Sequence, residues 1–213
     1  LPFYARNFSQ VSQWLQRLAP ADLMPRVRAL EESDFNANPP GAGTTRRLTV
    51  TPDAIQSHGL NIASVLSPQG TGLAWVAVKP GQAIANASVT STDPRSTIVQ
   101  VTNLGITVKD SPQSTLVFVT RLDNGQPVAG AAVSIVSLEN TRLWTGTTNS
   151  DGIAQSPAIP VRKADSGWSE LAYLVTAEKD GDVAYVGSNW NEGIEPWSFD
   201  VNYSLYESTN ILR

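Results

Sequence analysis

The chain has 213 residues, a net charge of −4 and no cysteine, which allows one large or two ordinary domains with a core that needs no covalent staples. The missing thiols exclude a cysteine nucleophile, a disulfide framework and every cysteine-based metal site. No basic cluster exceeds Arg46-Arg47, so the footprint of a nucleic-acid binder is absent, and no apolar run approaches the roughly 20 residues that cross a bilayer.

In chain order, Val11, Trp14, Leu15 and Leu18 recur at i, i+3, i+4 and i+7, the helical template. Pro20-Ala21-Asp22-Leu23 then offers a helix start, and Val27, Leu30 and Glu31-Glu32 carry a short helix over about residues 21–31. Residues 33–45, with Asn38-Pro39-Pro40-Gly41-Ala42-Gly43, read as an exposed loop that proline and glycine keep out of any ladder. Strands are expected at 46–50, 72–78, 85–89 and 96–102. From residue 115 the pattern is strands and turn chemistry: 115–122 is rich in β-branched and aromatic residues, and Asp123-Asn124-Gly125 predicts a type I′ turn into a strand over 131–138. The segment 143–148 leads to a turn at Ser150-Asp151-Gly152, and 171–178 is expected to pair with 183–187 across Asp180-Gly181. Turns every 8–12 residues or so indicate a sandwich or barrel, and no repeat of fixed period is visible.

Catalytic chemistry finds little to build on. His58 is the single histidine; read as a loop residue in the polar stretch Gln56-Ser57-His58-Gly59, it can supply neither a Ser/His/Asp base nor a zinc set. Asp123, Asp151, Asp165, Asp180 and Asp182 sit in turn-like segments, where short acidic side chains satisfy local N–H groups, and none fits the twelve-residue calcium loop. No catalytic, cofactor or metal-ligating residue is assigned. Among the six tryptophans, Trp75 and Trp144 lie in strand-like segments and are expected in the core. Trp14 belongs to the 11–18 stripe. Trp168, Trp190 and Trp197, in Gly- and Asn-rich surroundings, fit a sugar platform or, as the preferred reading, plugs at a sandwich end or module interface. The sequons at Asn7, Asn86 and Asn202 are treated as chance occurrences.

The run Gln126-Pro127-Val128-Ala129-Gly130-Ala131-Ala132-Val133-Ser134, followed by Thr147-Thr148-Asn149-Ser150-Asp151-Gly152, resembles the "G-x-P-V-x-G-A-x-V … T-x-x-D-G" signature of extracellular β-sandwich modules. Upstream, Val99-Gln-Val-Thr-Asn-Leu-Gly-Ile-Thr-Val-Lys109 is similar to the "V-Q-V-T-D-L-G-L" junction between early macroglobulin-like domains of bacterial alpha-2-macroglobulins, with Asn103 replacing the usual Asp. Tyr4-Ala-Arg-Asn7, residues 11–18 and residues 72–78 resemble further segments of that family. There residues 11–18 form a strand, so the resemblance overrides the helical periodicity.

The resemblance implies an all-β chain of two immunoglobulin/fibronectin-III-like (macroglobulin-like) antiparallel β-sandwiches in tandem, residues 1–104 and 105–206. The first carries a short helix-containing insertion at about 20–45; residues 207–213 form a lead-in to a next domain. It implies framework domains, not an enzyme, in a protease trap of the periplasm or cell envelope, whose parent is often an inner-membrane lipoprotein. The implied partners are neighbouring macroglobulin-like domains of the same chain and trapped proteases. Neither nucleic acid, a cofactor nor direct membrane insertion is implied. The family's thioester cannot lie in a chain without cysteine, and no segment matches a bait region. The abrupt ends at Leu1 and Arg213 suggest a piece of a longer protein, with rigidity expected from burial of the Gly105 junction. The rival readings are a carbohydrate- or surface-binding adhesin module, which needs coplanar exposed tryptophans, and a carboxylate-dependent glycosidase, which needs two carboxylates about 5–10 Å apart in a cleft.

Overall fold

The computed structural model of the chain describes residues 1–37, 41–85, 92–159 and 170–190. Thirteen strands and one α-helix among them form two antiparallel modules. In the first, strands β2 (Gln10–Leu18), β3 (Thr44–Arg47), β5 (Gly72–Pro80) and β6 (Arg95–Val101) make a sheet of order β3-β2-β5-β6. A ribbon of β1 (Pro2–Ala5) and β4 (Gln56–Gly59) covers one face of it. Beneath the ribbon lie Leu60, Ala74 and Val76, with Phe3, Leu15 and Val78 packed against them.

The other face of that sheet is covered by α1 (Leu23–Glu32), entered through a 3₁₀ turn at Pro20–Asp22. Pro25 is tolerated because its missing N–H would have no intrahelical partner in the first turn. The helix stops where the Ser33 hydroxyl lies 2.6 Å from the Ala29 carbonyl and 3.2 Å from that of Leu30. Asp34 and Phe35 then turn left-handed, with the Phe35 N–H returning to the Leu30 carbonyl. Central strand β5 is thus buried on both sides, and Leu73, Ala74, Trp75, Val76 and Ala77 are all at most 3% exposed. Such burial abolishes the polar/apolar alternation of a half-exposed strand.

The second module is a sandwich of a three-stranded and a four-stranded sheet. Strands β7 (Leu104–Asp110), β8 (Thr115–Arg121) and β11 (Ile153–Gln155) give the order β11-β8-β7. Strands β9 (Ala132–Ser137), β10 (Arg142–Thr147), β12 (Tyr173–Lys179) and β13 (Asp182–Gly187) give β10-β9-β12-β13. This three-against-four distribution is that of immunoglobulin-like sandwiches. Val117, Val119, Val133, Ile135, Val175 and Ala177 meet in its core, each no more than 1% exposed.

Several expectations change in detail. Residues 11–18 are strand, as the resemblance implies; the helix-like spacing arises because Leu15 faces the ribbon cluster while Leu18 faces α1. The supposed loop 33–45 is strand from Thr44, paired with Gln13, and Gly43 lies so close to the Trp14 ring that a Cβ would come within 2.5 Å. The turn after β8 is not type I′: Gly125 has φ +72°, while Asn124 has no positive φ and accepts a hydrogen bond from the Gln126 N–H. Nor do its flanking strands pair, since β8 and β9 lie in opposite sheets. The type I′ signature belongs to Asp180-Gly181, with φ +51° and +84°, closing the β12-β13 hairpin. The strand expected at 85–89 lies, from residue 86 onward, outside the described residues.

Candidate functional site

Two places concentrate the structure's specific interactions. The first is the crossing in the second module where the chain leaves one sheet for the other, and the signature motif builds it. The Thr148 hydroxyl accepts from the Ala131 N–H at 2.8 Å and donates to the Val128 carbonyl at 2.6 Å. Its backbone exchanges bonds with Gly130 and Ala131. The Val128 N–H donates to Val119 O, and the Val119 N–H to Gly152 O. At Gly152, with φ +72°, a Cβ would stand 2.5 Å from the Val119 carbonyl. Glycine is therefore required on both conformational and spatial grounds. Asn149 Oδ1 receives the N–H groups of Asp151 and Ile153, which fixes the turn. The motif residues thus tie together the two sheets; none presents a reactive group to solvent in an assembled site.

The second place is the junction of the modules. Leu23, Met24 and Val27 of α1, with Leu18 and Leu73 of the first sheet, form one buried cluster with Leu171, Leu174, Val183 and Tyr185 of the second module. Farther along α1, Leu30 packs with Ala37 and Trp75 in a cluster of its own. Polar bonds frame the junction cluster. Tyr185 N–H on the edge of β13 donates to Gln100 Oε1 at 3.0 Å, Asn140 Nδ2 donates to Ala21 O at 3.0 Å, Arg28 to Leu138 O at 3.3 Å and Asn189 Nδ2 to Glu31 Oε1 at 2.9 Å. Burial, with Glu31 nearby, pushes the Tyr185 hydroxyl up from 10.0 to about 12.

In the bend between β6 and β7 Asn103 is the hub. Its N–H donates to Asp182 Oδ2 at 2.8 Å, its Nδ2 donates to Asp123 Oδ2 at 2.8 Å, and its Oδ1 accepts the Asp123 N–H at 2.9 Å. Arg121 grips the same Asp123 carboxylate through Nε and Nη2. These bonds, Arg121 first and Asn103 second, hold the Asp123 carboxyl below the usual range. An Asp at 103 would confront that carboxylate with its own charge, whereas the amide of Asn103 serves it as donor. Gly105 is only half-buried; Leu104, 6% exposed, carries the burial at this junction, and Gly105 lies under Leu122.

The residues singled out for chemistry are dispersed. His58 is in strand β4, not a loop, and its ring stacks on Phe3 with centroids 5.3 Å apart. Asp151, Asp123 and Asp180 stand in three separate turns, Asp182 is engaged at the junction, and Asp165 lies outside the described residues. Among the described residues no group of three or more His, Asp or Glu could hold a metal ion. Trp75 is 2% exposed and Trp144 packs on the second core. Trp14 bonds Gly41 O through its indole. Trp190, 50% exposed, leans on Tyr185 at 5.0 Å with the rings 52° apart, so it closes the rim of the junction cluster. Trp168 and Trp197 lie outside the described residues. The resemblance over residues 99–109 marks where the modules join, but the apolar cluster that α1 brings to the junction has no sequence signal beyond a stripe with no assigned target. A cleft of about 390 Å³ opens beside it, with Arg17, Lys179, Glu178 and Asp180 among its lining residues.

A pair of antiparallel β modules whose distinctive residues all serve sheet crossing and module packing defines a macroglobulin-like sandwich protein. The model of the bacterial alpha-2-macroglobulin MG3 domain matches residues 101–206, and the chain belongs to the bacterial alpha-2-macroglobulin family. It is 32% identical over 110 residues to an alpha-2-macroglobulin homolog of Yersinia pestis, an alignment covering 50% of this chain and 5% of that protein. It therefore spans about 5% of the length of that curated relative. In fold it is similar to native alpha-2-macroglobulin from Escherichia coli spanning domains NIE-MG1, with a TM-score of 0.61 and 18% identity, covering 87% of this chain and 86% of that one. The structure spanning MG0-NIE-MG1 superposes with a TM-score of 0.56 and 17% identity, covering 87% and 57%. At that identity the superpositions show architecture alone. No helix among the described residues is long and apolar enough to cross a membrane.

Proposed function

We propose that the chain supplies framework modules, at residues 1–104 and 105–206 with a lead-in at 207–213, to an alpha-2-macroglobulin-type protease trap of the bacterial cell envelope. The modules carry no chemistry of their own. They hold neighbouring macroglobulin-like domains in position while other parts of the parent, extracytoplasmic and anchored as an inner-membrane lipoprotein, receive and enclose the protease. The observation that carries this reading is the MG3 match over residues 101–206, on a sandwich whose signature residues are spent on sheet crossing. A shared apolar junction suits a framework, because it fixes an angle between modules that a solvated linker would leave free.

The test uses the full-length parent, incubated with several unrelated proteases. A framework in a trap predicts that cleavage yields a compact form that keeps the protease while small substrates are still hydrolysed. Degradation of the parent without capture would remove the trap reading.

A further inference from the structure

We infer that the two modules are one cooperative body: α1, although it belongs in sequence to the first module, packs in an apolar cluster shared with the second, and the outer face of β12 and β13 is buried against the first module. This deepens the framework reading and concerns this chain alone, so it can fail while protease capture succeeds, and the reverse.

Strands β12 and β13 are buried on both faces. Tyr173, Val175, Ala177 and Ala184 point into the second module's own sandwich. Leu174, Val183 and Tyr185, their alternating neighbours, point out of it toward Leu18, Leu23, Met24, Val27 and Leu73. Leu174 is 1% exposed, as are Leu23, Met24 and Leu73. Removing either module would hand water a contiguous apolar face on the one left behind, and a soluble domain rarely carries such a face. α1 in turn has one apolar stripe, and the same stripe serves Trp75 at Leu30 and the second module at Met24 and Val27.

The polar bonds around the cluster are directional and fix its register. Gln100 occupies the otherwise open edge of β13 at Tyr185, which also blunts an edge that could pair with another chain. Asn103 fastens the bend between β6 and β7 to Asp182 on one side and Asp123 on the other. A junction with a continuous apolar core and a three-bond linker hub is not a hinge. Changes of shape in the parent carry these two modules together, and the bending points lie outside the pair.

The test is hydrogen exchange on the whole 213-residue chain in increasing urea. Amides of β5, in the first module, and of β12, in the second, are expected to converge onto a single urea-dependent isotherm, the mark of one opening unit. Separate isotherms of smaller slope for the two strands would overturn the inference, and this arm needs no variant. In the second arm Met24→Ala is expected to speed exchange in β5 and β12 by the same factor, on the order of 100-fold. Acceleration confined to α1 and β5, with β12 and β13 unchanged, would show two independent modules.

Discussion

The sheet crossing inside the second module and the junction between modules do the same task, fixing one layer against another, with opposite chemistry. The crossing uses backbone: a left-handed glycine against a carbonyl, and a threonine hydroxyl serving two main-chain groups. Its residues lie between Val119 and Gly152 and leave a motif in the sequence. The junction cluster uses apolar side chains drawn from residues 18 to 185, and outside the linker segment 99–109 it leaves none. Close backbone approach demands particular residues, whereas an apolar interface demands only volume and shape.

The largest expected effect is at the crossing. Gly152→Val combines a positive φ with a Cβ that meets the Val119 carbonyl, and a loss of about 4 kcal/mol or failure to fold is expected. Gly125→Ala sharpens the point. Gly125 has nearly the same φ but nothing within 4 Å of a Cβ, so a loss of only about 1 kcal/mol is expected, read from urea midpoints. Equal losses at the two glycines would mean that crowding at the crossing is not what demands Gly152.

Next comes the junction. Leu174→Ala empties space in the shared cluster and is expected to cost about 3 kcal/mol without loss of the second module's own core, which its neighbours Tyr173 and Val175 line. A loss below roughly 1 kcal/mol, typical of a surface position, would remove Leu174 from the buried interface. Denaturant unfolding decides between them.

The smallest effect is in pH. Tyr185 is held neutral up to about 12, above its unfolded value. Its contribution is complete below pH 10 and is lost as pH rises from 10 to 12, by roughly 2 kcal/mol. Tyr185→Phe is expected to flatten that part of the alkaline stability profile. An unchanged slope would place the phenol in solvent, away from the cluster.

How far the sequence was legible follows from the same contrast. The motif of the crossing could be read, because Gly130, Thr148 and Gly152 are chosen by local geometry, but the change of sheet it serves could not. Helix α1 could be read from its stripe, but its second partner could not, since Arg28 meets Leu138 and Asn140 meets Ala21 across more than a hundred residues. Residues 11–18 misled periodicity because the strand is covered on both sides. The Asn124-Gly125 dipeptide misled turn assignment because the following segment crosses to the other sheet. Gln56–Gly59 reads as a loop because it is polar, yet pairing of His58 with Phe3 makes it a strand of the ribbon.

The most direct test of the account is calorimetry of the whole chain. One shared core predicts a single endotherm whose calorimetric and van't Hoff enthalpies agree. Two resolved endotherms, with Leu174→Ala shifting only one, would contradict it.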